Sequence, residues 1–296
     1  MKKKDKILVK IERWLNIHDG FDKKNTKKML AAFLHISESS IMSLSVRNRC
    51  INIYTDDYMY KIQLYGDSIK RDLNNRKYFL NQRIKLLAPV KIYKKHPLVI
   101  KTPILKQSYS TSEAADYLLG KLSDHGYMKA FRVNDYPLLI AGLMILETYV
   151  YGKYVSKKIS EYFQRKSTSM VRAGIVHGDF HRGNIMFKNN RPVLIDLDCA
   201  RACDIQAVDA LYYILEEERH KHGYQEIWLV EWMILYDNLQ VIYKYRCSKW
   251  VDMDLKFGLI VLLLERIAQD QNYDPLFAEN NKKVIRKINL KLLEEL

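Results

Sequence analysis

The sequence predicts an α+β chain with a small, β-rich N-terminal lobe and a larger, mostly α-helical C-terminal lobe. Strand signals, short stretches rich in Ile, Val, Thr and Tyr, crowd into residues 41–103. Beyond Pro103 they nearly stop, and from residue 208 onward apolar residues recur at helical spacing. A chain of 296 residues is long enough for two lobes with a sizeable core. We therefore place the lobes at 1–103 and 104–296.

The N-terminal lobe is predicted to combine helices with five strands. Ile7, Ile11 and Trp14 follow helical spacing and indicate a helical N-terminal extension. Alternating apolar residues separated by short polar pieces then favour three antiparallel strands. The predicted elements are the helical extension 1–35, three strands within 41–65, a helix at 69–84, and strands at 90–93 and 98–100.

The C-terminal lobe is predicted to be mostly helical. Its first helix begins at Thr111, which is a good N-cap, and Glu113 suits the positive end of the helix dipole. Between two groups of helices, residues 174–195 return to short strands and a loop. The predicted helices are 111–122, 137–164, 208–222, 225–246, 254–270 and 279–295.

Composition excludes several classes of protein. Apolar residues make up 48% of the chain and charged residues 28%, which is typical of a globular protein. The longest uncharged apolar runs, Tyr136–Leu146 and Phe257–Leu264, fall short of the roughly 18 to 20 residues that a membrane span needs. Four cysteines in a chain of this length do not suggest a disulfide framework. We therefore expect a reduced, cytoplasmic protein without a transmembrane segment.

The net charge of +15 comes entirely from the first third of the chain. Residues 1–106 hold 24 Lys and Arg against 9 Asp and Glu, whereas residues 107–296 hold 25 of each sign. A one-sided basic field favours an anionic partner, and a solvated Lys-rich surface is the alternative. We expect an anionic small molecule or glycan, and weak peripheral association with anionic membranes. No nucleic-acid recognition motif is present, so no nucleic acid partner is expected.

The stretch 175–200 carries the residues best suited to chemistry. Asp179, Asn184, Asp196 and Asp198 fall in predicted loops among short strands. A hairpin turning at residues 189–192 would bring Asn184 and Asp196 to the same end. Such hard oxygen ligands suit Mg²⁺, which prefers one or two carboxylates together with phosphate oxygens. The alternative interpretation is an acidic hairpin with capped turns.

This stretch resembles the aminoglycoside phosphotransferase and choline kinase family, which has the protein-kinase-like fold. The resemblance rests on HGDFHRGN at 177–184, followed by a strand and LIDLD at 194–198. It implies a kinase that transfers the γ-phosphate of ATP, or of GTP, to an alcohol group with Mg²⁺ as cofactor. Asp179 would then be the catalytic base, with Asn184 and Asp196 as metal ligands. Structural or supporting roles are implied for His177, Asp198 and Asp209.

The resemblance also implies a nucleotide-binding set in the N-terminal lobe. A kinase of this type needs a Lys on its third strand to contact the nucleotide phosphates. Lys61 is predicted to have this role, because it lies inside a strand-like apolar run. The alternative is a Lys that shields a sheet edge. The other predicted nucleotide contacts are Arg47 and Arg49 in the loop after the first strand, and Ile100 and Thr102 in a linker strand.

Two departures from the family pattern leave a second function open. Asn75 stands where the pattern has a Glu that holds the lysine, and the 45–49 loop has no glycine to approach a phosphate. The alternative is therefore a catalytically weak, kinase-like nucleotide-binding module.

The acceptor class is the second open question. Acidic Glu216, Glu217, Glu218 and Glu226 could form a pocket for a cationic, aminoglycoside-like acceptor. The basic first third favours a sugar or a lipopolysaccharide-type glycan, which we prefer. The sequence does not indicate the oligomeric state.

Overall fold

The computed structural model describes residues 23–47, 50–64, 66–95, 98–105, 111–148, 152–222 and 255–273. These residues form seven helices and ten strands, a mixed α+β content that confirms the predicted class. They divide into two compact units. The first unit holds the described residues up to 105 and Met186–Asp198, and the second holds those from 111 to 185 and from Cys199 onward.

Most predicted elements are present within one to four residues of their predicted bounds. The helices are α1 (Lys23–Leu34), α2 (Ser68–Asn81), α3 (Thr111–Ser123), α4 (Pro137–Leu146), α5 (Gly152–Arg165), α6 (Ala207–His222) and α7 (Leu255–Tyr273). The strands are β1 (Ser43–Arg47), β2 (Cys50–Tyr54), β3 (Tyr58–Gln63), β4 (Lys91–Lys94), β5 (Val99–Pro103), β6 (Tyr127–Ala130), β7 (Met170–Val176), β8 (Ile185–Lys188), β9 (Arg191–Leu194) and β10 (Arg201–Ile205). The predictions for residues 1–22, 225–246 and 279–295 lie outside the described residues.

The first unit is built on a five-stranded antiparallel sheet with the order β1-β2-β3-β5-β4. Side chains alternate between its two faces, as period-two strands require. On one face, Ile53 and Ile62 pack with Leu34 of α1. On the other face, Cys50 and Ile100 pack with the beginning of α2. Lys61 lies opposite Ile100 in the register of β3 and β5, so it belongs to the face covered by α2.

The predicted hairpin, from residue 186 onward, belongs to the first unit as well. Asn189 and Asn190 both have positive φ, 50° and 60°, as a tight two-residue hairpin turn requires. The turn is therefore shorter than predicted, because Arg191 and Pro192 already belong to β9. The Leu194 N–H donates to the carbonyl of Leu86 at 2.6 Å, which fixes the hairpin beside the segment that follows α2.

The second unit contains a three-stranded antiparallel sheet, β10-β7-β6, whose two outer strands the sequence did not predict. Tyr127 and Met128 of β6 are both exposed, so this edge strand lacks the apolar alternation that marks a half-buried strand. β10 contains Arg201 and Asp204 among its five residues, and its register against β7 is irregular. Both β6 and β10 are strands because they pair with the buried strand β7.

The core of the second unit surrounds α7. Phe257 of this helix contacts Phe131 and Phe163 edge-to-face, with ring centroids 4.8 and 5.8 Å apart. Every residue from 257 to 264 is buried, which explains a helix that is apolar on nearly all sides. In the described part of the chain, no helix has the length and apolarity to span a membrane. The single helix predicted at 137–164 is instead two, α4 and α5.

Candidate active site

In the first unit, Lys61 of β3 is ion-paired with Asp196. Lys61 Nζ lies 2.6 Å from Asp196 Oδ1, and the lysine side chain is 9% exposed against 39% for the aspartate. Burial alone would lower the pKa of Lys61, but the charges of Asp196 and Asp198 outweigh it and raise that pKa well above its ordinary value. Lys61 is therefore held as an ammonium ion beside a partly open carboxylate.

Helix α2 holds the segment that follows Asp196. Asp72 accepts a hydrogen bond from the Leu197 N–H at 2.7 Å, and Asn75 donates to the Leu197 carbonyl at 2.6 Å. At the start of the helix, Ser68 donates to the buried carboxylate of Asp198 at 2.6 Å. Asn75, which stands where the family pattern has a Glu, thus contacts the backbone next to Asp196.

The remaining residues of the predicted nucleotide set are spread along the sheet. Arg47 ends β1, and its side chain, like the whole of Arg49, lies outside the described residues. Ile100 and Thr102 are buried in β5. At Ile100 this strand pairs with both β3 and β4, so any contact of this residue with a base would come from its side chain. The roles of all four residues stay predictions.

In the second unit, Asp209 holds the turn that precedes Asp179. Asp209 lies in the first turn of α6 and is buried, and its two carboxylate oxygens accept from the backbone N–H groups of His177 and Gly178 at 2.6 and 2.9 Å. Gly178 has φ +76°, and a Cβ there would collide with the carbonyl of Cys199. Only glycine adopts this conformation at so close an approach without strain.

Asp179 itself is surrounded by nitrogen donors. Arg266 Nη1 lies 3.1 Å from its Oδ1, and Asn184 Nδ2 lies 3.2 Å from its Oδ2. His181 Nε2 is 3.5 Å from the same Oδ2. Burial alone would raise the pKa of Asp179, but the hydrogen bond from His181 and the charge of Arg266 outweigh it and lower that pKa below its ordinary range. The carboxylate is thus ionised and fixed in orientation.

Arg266 is a residue of this site that the sequence analysis did not find. Besides Asp179, it donates to the Gly178 carbonyl at 3.3 Å and to the Tyr212 hydroxyl at 3.1 Å, and its guanidinium lies 4.3 Å from the Tyr212 ring centre. The only local signal is that Glu265 and Arg266 interrupt a long apolar helix. Charged residues there must be paired when buried, but the sequence does not name the partner.

A buried ionic cluster lies behind the same turn. Arg201 of β10 forms ion pairs with Asp204 of the same strand and with Glu265 of α7. It also donates to the Cys199 carbonyl at 3.2 Å. Burial raises the pKa of Glu265 well above its ordinary value, and the charge of Asp204 adds to this while Arg201 opposes it. The cluster therefore carries one arginine for two carboxyl groups, one of which favours the protonated form.

Two of the predicted metal ligands have the chemistry of a Mg²⁺ site. Asn184 is buried, and its amide nitrogen donates to the backbone carbonyl of Asp179 at 2.9 Å, so its carbonyl oxygen is the atom left to face a cation. Asp196 keeps a partly open carboxylate, and only its Oδ1 is engaged by Lys61. Asn184 comes directly before β8, and Asp196 follows β9 by two residues. An amide oxygen and a carboxylate oxygen are each a ligand type that Mg²⁺ binds, and the metal role of both residues stays a prediction.

Comparison with known proteins agrees with the motif. The model of the phosphotransferase enzyme family, APH, matches residues 159–209, which include His177, Asp179, Asn184, Asp196 and Asp209. No curated protein sequence matches the chain.

Solved structures match over most of the chain at low identity. Choline kinase LicA from Streptococcus pneumoniae is 14% identical with a TM-score of 0.54, and the match covers 94% of this chain and 100% of LicA. LicA in complex with AMP gives a TM-score of 0.51 at 14% identity, covering 92% and 100%. A thermostable mutant of the aminoglycoside phosphotransferase APH(4)-Ia, in a ternary complex with ADP and hygromycin B, gives 0.50 at 10% identity, covering 88% and 98%.

The chain therefore has the protein-kinase-like fold. The family match and the shared fold confirm the predicted resemblance to the aminoglycoside phosphotransferase and choline kinase family. They also confirm the prediction that the chain is of the phosphotransferase class of enzymes.

Proposed function

We propose that the chain is a Mg²⁺-dependent kinase that transfers the γ-phosphate of ATP to a hydroxyl group of a small molecule or glycan. The observation that carries this proposal is the 2.6 Å ion pair between Lys61 and Asp196, 135 residues apart. In a kinase, a lysine on the third strand contacts the nucleotide phosphates and an aspartate after a later strand binds the Mg²⁺ that those phosphates share. The ion pair brings the two residues that would have these roles next to each other. The matched family model supports it.

Asp179 is proposed to act as the base. Its carboxylate orients the acceptor hydroxyl and takes its proton while the hydroxyl oxygen bonds to the γ-phosphorus. The bond from that phosphorus to the bridging β,γ-oxygen breaks, and ADP leaves with the electron pair. Because the transition state of phosphoryl transfer is loose, orientation matters more than basicity. The bonds from Arg266 and Asn184 to opposite oxygens of Asp179 supply that orientation.

The nucleotide is proposed to be bound by Lys61 and by a magnesium ion. Asn184 and Asp196 would hold the ion, which neutralises charge on the phosphates when it is bound. The ammonium group of Lys61 would contact the α- and β-phosphates. Asp196 keeps Lys61 charged despite its burial, so this contact is available over the whole physiological pH range.

The acceptor is proposed to be a neutral or anionic sugar or glycan. Two of the acidic residues that could have bound a cationic acceptor are buried and paired within α6: Glu216 with Arg219 at 2.7 Å, and Glu218 with Lys221 at 2.5 Å. Glu217 of the same helix is half-buried, and Glu226 lies outside the described residues. Next to Asp179, the guanidinium of Arg266 is cationic. These pairings favour a hydroxyl acceptor that is not a polyamine.

A catalytically weak nucleotide-binding module remains the second candidate. Helix α2 offers Asp72 and Asn75 to the Leu197 backbone, where the family pattern has a glutamate for the lysine. A module of this kind would bind Mg²⁺ and nucleotide but would not turn it over.

The proposal is tested by nucleotide turnover with and without acceptors. Native protein is incubated with Mg²⁺, ATP and a panel of sugars, phosphorylated sugars and aminoglycosides, and ADP release is measured. We expect acceptor-dependent turnover that Asp179→Asn abolishes and that Asp124→Asn, at an exposed aspartate of the same unit, leaves intact. Nucleotide binding without turnover on any acceptor would instead support the binding module. No binding of any nucleotide would refute both.

A further inference from the structure

Helix α2 forms hydrogen bonds to both backbone groups of one residue, Leu197. Asp72 Oδ1 accepts from its N–H at 2.7 Å, and Asn75 Nδ2 donates to its carbonyl at 2.6 Å. Asp72 and Asn75 are three residues apart and so lie on the same face of the helix. They therefore act as a two-point clamp on the peptide groups that flank Leu197.

The clamp is itself held by buried groups. The second oxygen of Asp72 accepts from Arg76 Nε at 2.8 Å, and Arg76 Nη1 donates to the Ala88 carbonyl at 2.7 Å. Asp72 is 2% exposed and Arg76 8%. A buried charge pair with all of these bonds made keeps a fixed geometry, whereas a helix surface residue would not.

Asp196, the neighbour of Leu197, is in a conformation that needs such support. Its φ is +56°, in the left-handed region that a non-glycine residue adopts only at a cost in free energy. Such a conformation persists only where the surroundings hold it. The peptide between Asp196 and Leu197 carries the N–H that Asp72 binds, so the clamp acts on the bond next to the strained residue.

We infer that Asp72 and Asn75 are positioning residues that fix the carboxylate of Asp196 for the metal ion, an inference that rests on the proposed function. In this chain helix α2 orients Asp196, the proposed metal ligand, and Asp196 in turn forms the ion pair with Lys61. In the family pattern, a glutamate of this helix binds the lysine directly. In this chain the clamp takes its place. The positions of Asp196 and Lys61 are set through the backbone of Leu197.

The test uses two adjacent asparagines of α2. Asn75→Leu removes the donor with little change in shape, and Asn74→Leu makes the same change at an exposed position of the same helix. Mg²⁺ is titrated into each protein at a saturating concentration of a non-hydrolysable ATP analogue, and the thermal unfolding temperature is followed. The readout is the Mg²⁺ concentration that gives half of the maximal shift.

We expect Asn75→Leu to raise the half-maximal Mg²⁺ concentration about tenfold, as the loss of one buried hydrogen bond allows. Asn74→Leu should match the native chain. A purely structural role would lower the unfolding temperature without moving the Mg²⁺ midpoint, and it would overturn the inference, as would equal midpoints for the two variants. Absence of any Mg²⁺-dependent shift in the native chain would instead defeat the proposed function.

Asn75→Ser provides a milder variant in case the leucine substitution prevents folding. Its side chain is too short to keep the 2.6 Å bond to the Leu197 carbonyl. The same Mg²⁺ titration is run on this variant, and its half-maximal Mg²⁺ concentration should also rise. A midpoint equal to that of the native chain would contradict the inference.

Discussion

Arg266 Nη1 lies 3.1 Å from Oδ1 of Asp179, although 87 residues separate them in the sequence. The guanidinium also reaches the Gly178 carbonyl and Tyr212, so it ties helix α7 to the turn that presents the aspartate. A carboxylate held from both sides, by Arg266 and by Asn184, has little freedom to rotate. The orientation of Asp179 therefore depends on a helix far along the chain.

Removal of Arg266 should lower the turnover number more than it changes substrate affinity. In Arg266→Gln the carboxylate of Asp179 loses a charged donor, and positioning would be the main contribution of this proposed base to phosphoryl transfer. We expect kcat to fall about tenfold, as the loss of one charge-assisted hydrogen bond implies, with the KM for ATP nearly unchanged.

Arg266→Lys should recover part of this loss, because a lysine keeps the charge without the forked donors. Arg132→Gln, at an exposed arginine of the same unit, is the matched control. Steady-state kinetics of the three variants measure the effect. A kcat equal to that of the native chain in Arg266→Gln would contradict the prediction.

Asp196→Asn should abolish the stabilisation of the folded chain by Mg²⁺ and nucleotide. At about 100 times its dissociation constant, a ligand adds roughly 2.7 kcal/mol to the free energy of unfolding, which gives a clear shift on heating. The asparagine keeps the shape but loses the charge that is proposed to bind the cation. Asp57→Asn, at an exposed aspartate of the first unit, should keep the full shift. Equal shifts with ATP and GTP in all three proteins would remove Asp196 from the metal site.

Gly178→Ala should destabilise the fold, whereas Gly120→Ala should not. Gly178 has φ +76°, and an added Cβ meets the carbonyl of Cys199. We expect a loss of about 1 to 3 kcal/mol in the free energy of unfolding. Gly120 lies inside helix α3, where alanine is favoured by roughly 0.5 to 1 kcal/mol. Denaturant unfolding of both variants checks the opposite signs.

The buried Glu265 should make stability fall as pH rises. Its pKa is raised in the folded chain by burial and by Asp204, so above its ordinary value of 4.5 the folded state holds more protons than the unfolded state. The free energy of unfolding therefore decreases with pH from that value up to the folded pKa. Glu265→Gln cannot titrate, so its stability should depend less on pH in this range. Denaturant unfolding at a series of pH values compares the two, and parallel curves would refute the assignment.

The pattern of apolar and polar residues in the sequence was sufficient to predict most helices and strands of the first unit. Strands β1 to β3 lie where segments rich in Ile, Val, Thr and Tyr predicted them, and helix α2 follows the helical spacing of its buried residues. The pattern did not predict β6 and β10. An exposed edge strand such as β6 has no apolar face of its own, and only its hydrogen bonds to β7 make it a strand.

By itself, the sequence determined the class of chemistry, and it predicted the residues that would carry it. HGDFHRGN and LIDLD place an aspartate, an asparagine and a second aspartate at spacings that short local segments specify. Only the tertiary structure decided what holds them: Arg266 on Asp179, and Asp72 with Asn75 on Leu197. These contacts join residues 87 to 125 positions apart, and a polar group buried in a core requires a partner without specifying which one. The three-dimensional path of the chain determines which partner each buried polar group meets.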